Sequence, residues 1–197
     1  VADDEDAALF LKVKDLQDKA AFAKLFDKHQ ASVVRFAFRF VGSHARAEEL
    51  AQDIFVKLFK SAKSYQPNAK FKTFMFRVAT NHCLNEVRRA DYAAEPAMAH
   101  EAEEGSAQVS MQAERPDQTL EGKQLEAAVG KALSAMSERE RAAFSMCRFE
   151  GMAYKDIAQA LAASEPAVKS LIHRATLTMM KELDAFQTPF KVIGSHA

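Results

Sequence analysis

The chain has 197 residues, 48% of them apolar and 27% charged, and its 27 Lys and Arg balance 27 Asp and Glu to a formal charge of zero. That composition excludes a disordered or fibrous chain, and no apolar run reaches the roughly 18 residues of a membrane span. Cys83 and Cys147 make neither a disulfide framework nor a Cys-pair metal motif. The acidic start Asp3-Asp4-Glu5-Asp6 is the opposite of a basic secretory leader. A reduced, cytoplasmic protein is expected, with no membrane insertion, cofactor or metal.

Neutrality is a cancellation between unlike segments. Residues 22–89 carry 13 basic and 5 acidic groups, a surplus of +8. Residues 90–122 carry Arg115 against eight acids, giving −7, and residues 123–197 carry 10 bases and 8 acids, giving +2. The middle segment is poor in large apolar residues and holds Pro96, Gly105 and Pro116. Such a stretch buries too little surface to fold alone, so it reads as a flexible acidic linker. Fully extended, it reaches roughly 110 Å.

The elements read as helices throughout, giving an all-α fold of two small domains. Phe22, Leu25, Phe26 and His29 repeat at three and four, as do Leu50, Ile54 and Leu58. Phe36, Phe38 and Phe40 alternate as in a strand, but a lone strand has no partner here and helix is favoured. Glu49, Gln52 and Asp53 share one helix face by the i, i+3, i+4 rule, an acidic patch inside a basic segment. It suits a basic partner helix, or is simply a solvated face.

Downstream, Tyr65-Gln66-Pro67-Asn68-Ala69-Lys70-Phe71-Lys72-Thr73-Phe74 interleaves rings and lysines around a proline turn. Unpaired bases can stack on such rings while lysines follow the backbone. Equally, Phe71 and Phe74 can be core. Phe76, Ala79, Cys83 and Val87 form an apolar stripe that places Cys83 in a core. The opposite face offers Arg77, Asn81, Asn85 and Arg88, amides for base edges and cations for phosphates.

In the last segment Ser137-Glu138-Arg139-Glu140 is a capping box, and Glu150-Gly151 ends its helix. A short helix follows from Tyr154 to Ala162, with Ile157 and Leu161 inward. Ser164 caps a final helix that continues towards Leu183. There Val168, Leu171, Ile172 and Ala175 form an apolar arc, and Lys169, Ser170, His173 and Arg174 the opposite one. That is a helix-turn-helix pattern with a cationic face suited to a major groove, though a solvated helical hairpin has the same periodicity.

The order of parts resembles a bacterial RNA polymerase sigma factor of the extracytoplasmic-function type, group 4 of the sigma-70 family. Arg46-Ala47-Glu48-Glu49-Leu50-Ala51-Gln52-Asp53-Ile54-Phe55 is similar to the region 2 helix that grips the β′ clamp helices. The stretch Lys70–Asn81, running on to Val87-Arg88-Arg89, is similar to the family's promoter-melting segment. Met136–Arg141, Glu150–Ala158 and Ala167–Ala175 follow region 4 in order. The resemblance implies region 2 over residues 1–89, a linker over 90–122, and region 4 with a short tail over 123–197. It assigns Glu49, Gln52 and Asp53 to polymerase, and Tyr65, Lys70, Phe71, Phe74, Arg77, Asn81, Asn85 and Arg88 to the −10 element. Lys169, Ser170, His173 and Arg174 fall to the −35 element. The implied partners are core RNA polymerase through β′ and β, promoter DNA, and an anti-sigma factor, with no catalysis by this chain. Phe74 stands where many members have Trp, and Leu171 and Thr176 where a base is common. Two rivals are a helix-turn-helix regulator that does not bind polymerase, and an enzyme using His82-Cys83 as part of a metal site. The second lacks a further ligand pair at usable spacing.

Overall fold

The computed structural model describes residues 5–94 and 120–191, and among these every long element is an α-helix and no strand occurs. In chain order the helices are α1 (Glu5–Leu16), α2 (Lys19–Val41), α3 (His44–Ser61), α4 (Phe71–Ala94), α5 (Leu120–Ala135), α6 (Glu138–Arg148), α7 (Tyr154–Ala160) and α8 (Glu165–Lys191). A single 3-10 turn, Ala62–Ser64, leads into the loop before α4. Most of the acidic segment, residues 95–119, lies outside the described residues.

Local chemistry explains where the helices of the first half begin and end. The Asp18 carboxylate accepts from the backbone amides of Ala20 and Ala21 at 2.9 and 3.0 Å, a cap that stabilises α2 by about 1 kcal/mol. Gly42 closes α2 in the left-handed region, φ 67°, and donates its amide to Phe38 O at 2.8 Å. Only glycine takes that conformation without a Cβ penalty. Phe36, Phe38 and Phe40 are all buried in this one helix. Phe36 and Phe40, one turn apart, hold their rings 5.2 Å apart, while Phe38 stacks on His44 of α3. Leu25, Leu50, Ile54, Leu58, Met75, Phe76 and Cys83 fill the centre. Burial pushes the Cys83 thiol up to about 12, consistent with the packing role expected from its stripe. Sequence periodicity had left α1 unread, although it contributes buried Ala7, Phe10 and Val13.

The second half follows the expected helix-turn-helix. Both limbs of the capping box form: Glu140 N donates to Ser137 Oγ and Ser137 N donates to Glu140 Oε2. Gly151 turns the chain at φ 63°. Ala167 N donates to Ser164 Oγ at 3.3 Å, starting α8, which continues past Leu183 to Lys191. Val168, Leu171, Ile172 and Ala175 are buried against α5, α6 and α7, with Ala175 in a cluster with Leu133, Met136 and Phe144.

The two halves are docked on one another, α4 against α6 and α7, and α2 against α5 and α6. One apolar cluster runs through both. Glu150, which the sequence presents only as a helix-end marker, stands at the seam. Its carboxylate accepts from Ser32 Oγ at 2.5 Å and lies 3.6 Å from Arg39 and 3.7 Å from Lys72. Arg39 stacks its guanidinium 3.9 Å above the Phe149 ring. Its burial lowers its pKa to about 10, with Glu150 opposing that shift.

Candidate functional site

Three exposed faces contain the residues singled out by the sequence. On α3, Leu50, Ile54 and Leu58 point into the core, which forces Glu49, Gln52 and Asp53 outward together. Arg46 donates to Glu49 at 2.6 Å and also pairs with Glu86 of α4. These two partners raise the Arg46 pKa. Asp53 Oδ2 lies 3.6 Å from Nε2 of His82, whose Nδ1 is 2.5 Å from Lys57 Nζ. Burial, then the neighbouring Lys57 charge, lowers the His82 pKa, with Asp53 acting in the opposite sense. Arg46–Glu86 and Lys57–His82 thus tie α3 to α4 beside its acidic face.

On α4 and the loop before it, Arg77, Asn81, Asn85 and Arg88 are exposed along one face. Thr73, Phe74 and Arg77 of α4, with Ser64, Gln66 and Asn68 of the loop, wall a cleft of about 180 Å³. The Arg77 guanidinium lies 5.0 Å from the Phe74 ring centroid. The loop is closed on itself by Tyr65 Oη, which donates to Ala69 O at 3.0 Å. Tyr65 and Phe71 are fully buried and Phe74 nearly so. In this conformation Tyr65 and Phe71 present no open ring face to a base. Their expected stacking role gives way here to a core role, because Phe10 fills the space between them. Phe74 remains at the cleft wall.

The cations of this region are paired with carboxylates from the second half. Lys70 donates to the Asp156 carboxylate at 3.0 Å, Lys72 donates to the Glu150 backbone carbonyl at 2.6 Å with its ammonium 3.7 Å from the Glu150 carboxylate, and Arg88 lies 3.9 Å from Glu138. Gln159 of α7 also borders the cleft. Sequence reading missed these acids because nothing local signals a partner in a distant segment.

On α8, Lys169, Ser170, His173 and Arg174 are exposed on one arc, opposite the buried one. Arg174 Nε donates to Glu140 at 2.6 Å. Burial alone would raise the Glu140 carboxyl, but hydrogen bonds from Arg174 and Ser137 outweigh it and the pKa is lowered. Ser170 Oγ donates to Pro166 O. Leu171 is core, and the Thr176 hydroxyl is turned back on Ile172 O. No group of three metal-ligating side chains occurs among the described residues. No described helix is long and apolar enough to cross a membrane.

Comparison with known proteins fits these faces. The family described as Sigma-70 region 2 matches residues 25–92, and Sigma-70, region 4 matches residues 126–179. The ECF RNA polymerase sigma factor SigE of Mycolicibacterium smegmatis is 30% identical over 167 residues, 85% of this chain and 63% of that one. The RNA polymerase sigma-H factor of Pseudomonas aeruginosa is 29% identical over 173 residues, 84% of this chain and 88% of that protein. In fold the chain is similar to CnrH, solved in complex with the cytosolic domain of CnrY, with TM-score 0.67 at 21% identity. That match covers 91% of this chain and 97% of CnrH. It is also similar to the sigma factor RpoE of Bartonella quintana, solved with the anti-sigma factor NepR, with TM-score 0.65 at 21% identity over 83% and 96% of the two chains. The all-α fold, with an acidic patch on α3, a cleft beside Arg77 and a capped helix-turn-helix, agrees with these matches to transcription initiation factors. The chain belongs to the sigma-70 family, and within it to the extracytoplasmic-function sigma factors.

Proposed function

We propose that this chain is an alternative sigma factor that binds core RNA polymerase and directs it to a particular set of promoters. Residues 1–89 act as region 2, 90–122 as the acidic linker, and 123–197 as region 4 with its tail. The reading rests on one coincidence. Matches to region 2 and region 4 fall in order on one chain, each over a surface whose charged residues face outward.

Glu49, Gln52 and Asp53 offer two carboxylates and an amide to a basic helix of the β′ clamp. Arg77, Asn81, Asn85 and Arg88 lie along the −10 element, with Lys70 and Lys72 on its phosphates. The cleft beside Phe74 and Arg77 takes a base unstacked from the opened strand, which offsets the cost of unstacking. Lys169, Ser170, His173 and Arg174 enter the −35 major groove. The chain supplies positioning and strand separation, and phosphodiester chemistry belongs to the polymerase in the cytoplasm. The two neighbouring structures with CnrY and NepR support an anti-sigma partner for this chain as well.

Addition of the full chain to core polymerase on genomic templates is expected to give discrete transcripts that core alone does not. Absence of any such transcript would overturn the reading. Binding to duplex DNA without core affinity would instead indicate an ordinary helix-turn-helix regulator.

A further inference from the structure

Asp6, Phe10 and Lys14 stand four residues apart, so α1 presents them along one face. Each makes a contact far along the sequence. The Asp6 carboxylate takes a hydrogen bond from Lys28 at 2.6 Å and shares a second with His29 Nε2 at 2.9 Å, fastening the start of α1 to α2. The Phe10 ring lies 5.1 Å from Tyr65, 4.9 Å from Phe71 and 5.6 Å from Phe74. These rings flank both ends of the loop that walls the α4 cleft. Lys14 Nζ donates to Tyr65 O at 2.8 Å, at the residue whose hydroxyl closes the loop on Ala69 O.

From this we infer that α1 is a brace for the cleft, with Phe10 and Lys14 as positioning residues that fix the loop which receives the unstacked base. The inference rests on the reading of that cleft given above. Phe10 sets the spacing between the loop's entry at Tyr65 and its exit at Phe71. Lys14 holds the entry carbonyl through a charge-assisted hydrogen bond, stronger than a neutral one. Without that tie the loop keeps its own Tyr65–Ala69 closure but gains freedom to tilt relative to Arg77 and Phe74. Neither residue touches DNA. Their effect is on where Gln66 and Asn68 stand.

The test uses holoenzyme assembled from core polymerase and the full chain, with promoter opening followed by permanganate reactivity. Lys14→Met keeps the aliphatic stem and removes the ammonium. It is expected to lower the opening equilibrium by roughly tenfold or more, the loss of about one hydrogen bond to a charged group, with core affinity unchanged. Lys14→Arg is expected to restore most of it. Phe10→Leu, which keeps an apolar side chain there, is expected to reduce opening in the same direction.

Removing bases one at a time from the non-template −10 strand locates the captured position as the one whose loss impairs the wild type. On that template Lys14→Met is expected to add no further defect. Wild-type opening by Lys14→Met, a parallel fall in core affinity, or an undiminished defect on the abasic template would each overturn the brace. Asn68→Ala and Arg77→Ala separate the two levels. If they impair opening while Lys14→Met does not, only the brace fails. If neither they nor any missing base matters, the capture reading falls and the brace with it.

Discussion

The Glu150 carboxylate, from the turn after α6, sits 3.6 Å from the Arg39 guanidinium of α2, and both side chains are almost excluded from solvent. Two segments more than a hundred residues apart are joined there by a charge pair in a low-dielectric seam. Such pairs add little over an apolar equivalent, but removing one member strands the other.

Glu150→Ala is therefore expected to cost about 3–5 kcal/mol at this seam, leaving Arg39 and Lys72 without their shared carboxylate. The two halves should separate before either unfolds. Small-angle scattering, or energy transfer between labels on α3 and α8, would register the change as a larger interdomain distance. Retention of the wild-type distance would show that the apolar contacts hold the seam alone.

Asp6 makes the fold sensitive to acid. Burial by itself would raise its carboxyl, but hydrogen bonds from Lys28 and His29 outweigh burial and hold the group below its ordinary 3.8. A depressed carboxyl contributes stability that is complete above the unfolded value and is lost as pH falls through the folded one. Urea midpoints for the wild type and Asp6→Asn are expected to differ at neutral pH and to converge as pH falls through the folded carboxyl value, below the ordinary 3.8. A difference unchanged down to pH 3 would mean that the ionised carboxylate contributes nothing.

Reversal of charge at Glu49 and Asp53 together should weaken binding to core polymerase at least tenfold, while far-UV circular dichroism stays unchanged because both side chains are exposed. The magnitude corresponds to about 1.4 kcal/mol, modest for two contacts at a polar rim. Unaltered affinity in a direct binding titration would remove this face from the polymerase interface.

Arg174→Ala and Lys169→Ala are expected to differ in kind. Loss of a base contact costs about 1–3 kcal/mol and relaxes sequence preference, whereas loss of a phosphate contact weakens all sequences alike. Arg174 is paired with Glu140, so its substitution also frees a carboxylate at the α6 N-terminus, whether or not it would contact DNA. Competition binding with −35 variants distinguishes the two cases for each residue.

Helix periodicity made most of this fold legible from the chain itself. The stripes of α3 and α4 and the two arcs of α8 fall where spacing puts them. Hydrogen bonds confined to four residues, such as the Ser137–Glu140 box, are sequence-local and so readable. The alternating Phe36, Phe38 and Phe40 resolved to a helix because each ring finds a different neighbour around it. Opaque to the sequence were α1, where the continuous apolar run Ala7–Leu11 masks the buried stripe of Ala7, Phe10 and Val13, and the seam at Glu150. Tyr65 and Phe71 were ambiguous for the same reason. A ring on a loop is a platform or a core residue according to what lies behind it, and here that is Phe10, more than fifty residues upstream.

The carboxylates at Lys70, Lys72 and Arg88 have a further consequence for thermodynamics. DNA carries a condensed layer of mobile cations, and a Lys or Arg that neutralises a phosphate releases them, which makes association steeply dependent on salt. Asp156, Glu150 and Glu138 are tethered counterions that no dilution removes. Phosphates that bound at these three positions would displace carboxylates of the same chain, and the freed carboxylates would take up mobile cations, so fewer ions would be set free on balance than the number of contacts implies. Promoter binding through this face should accordingly show a shallower salt dependence than its cation count would give, and opening the seam should steepen it.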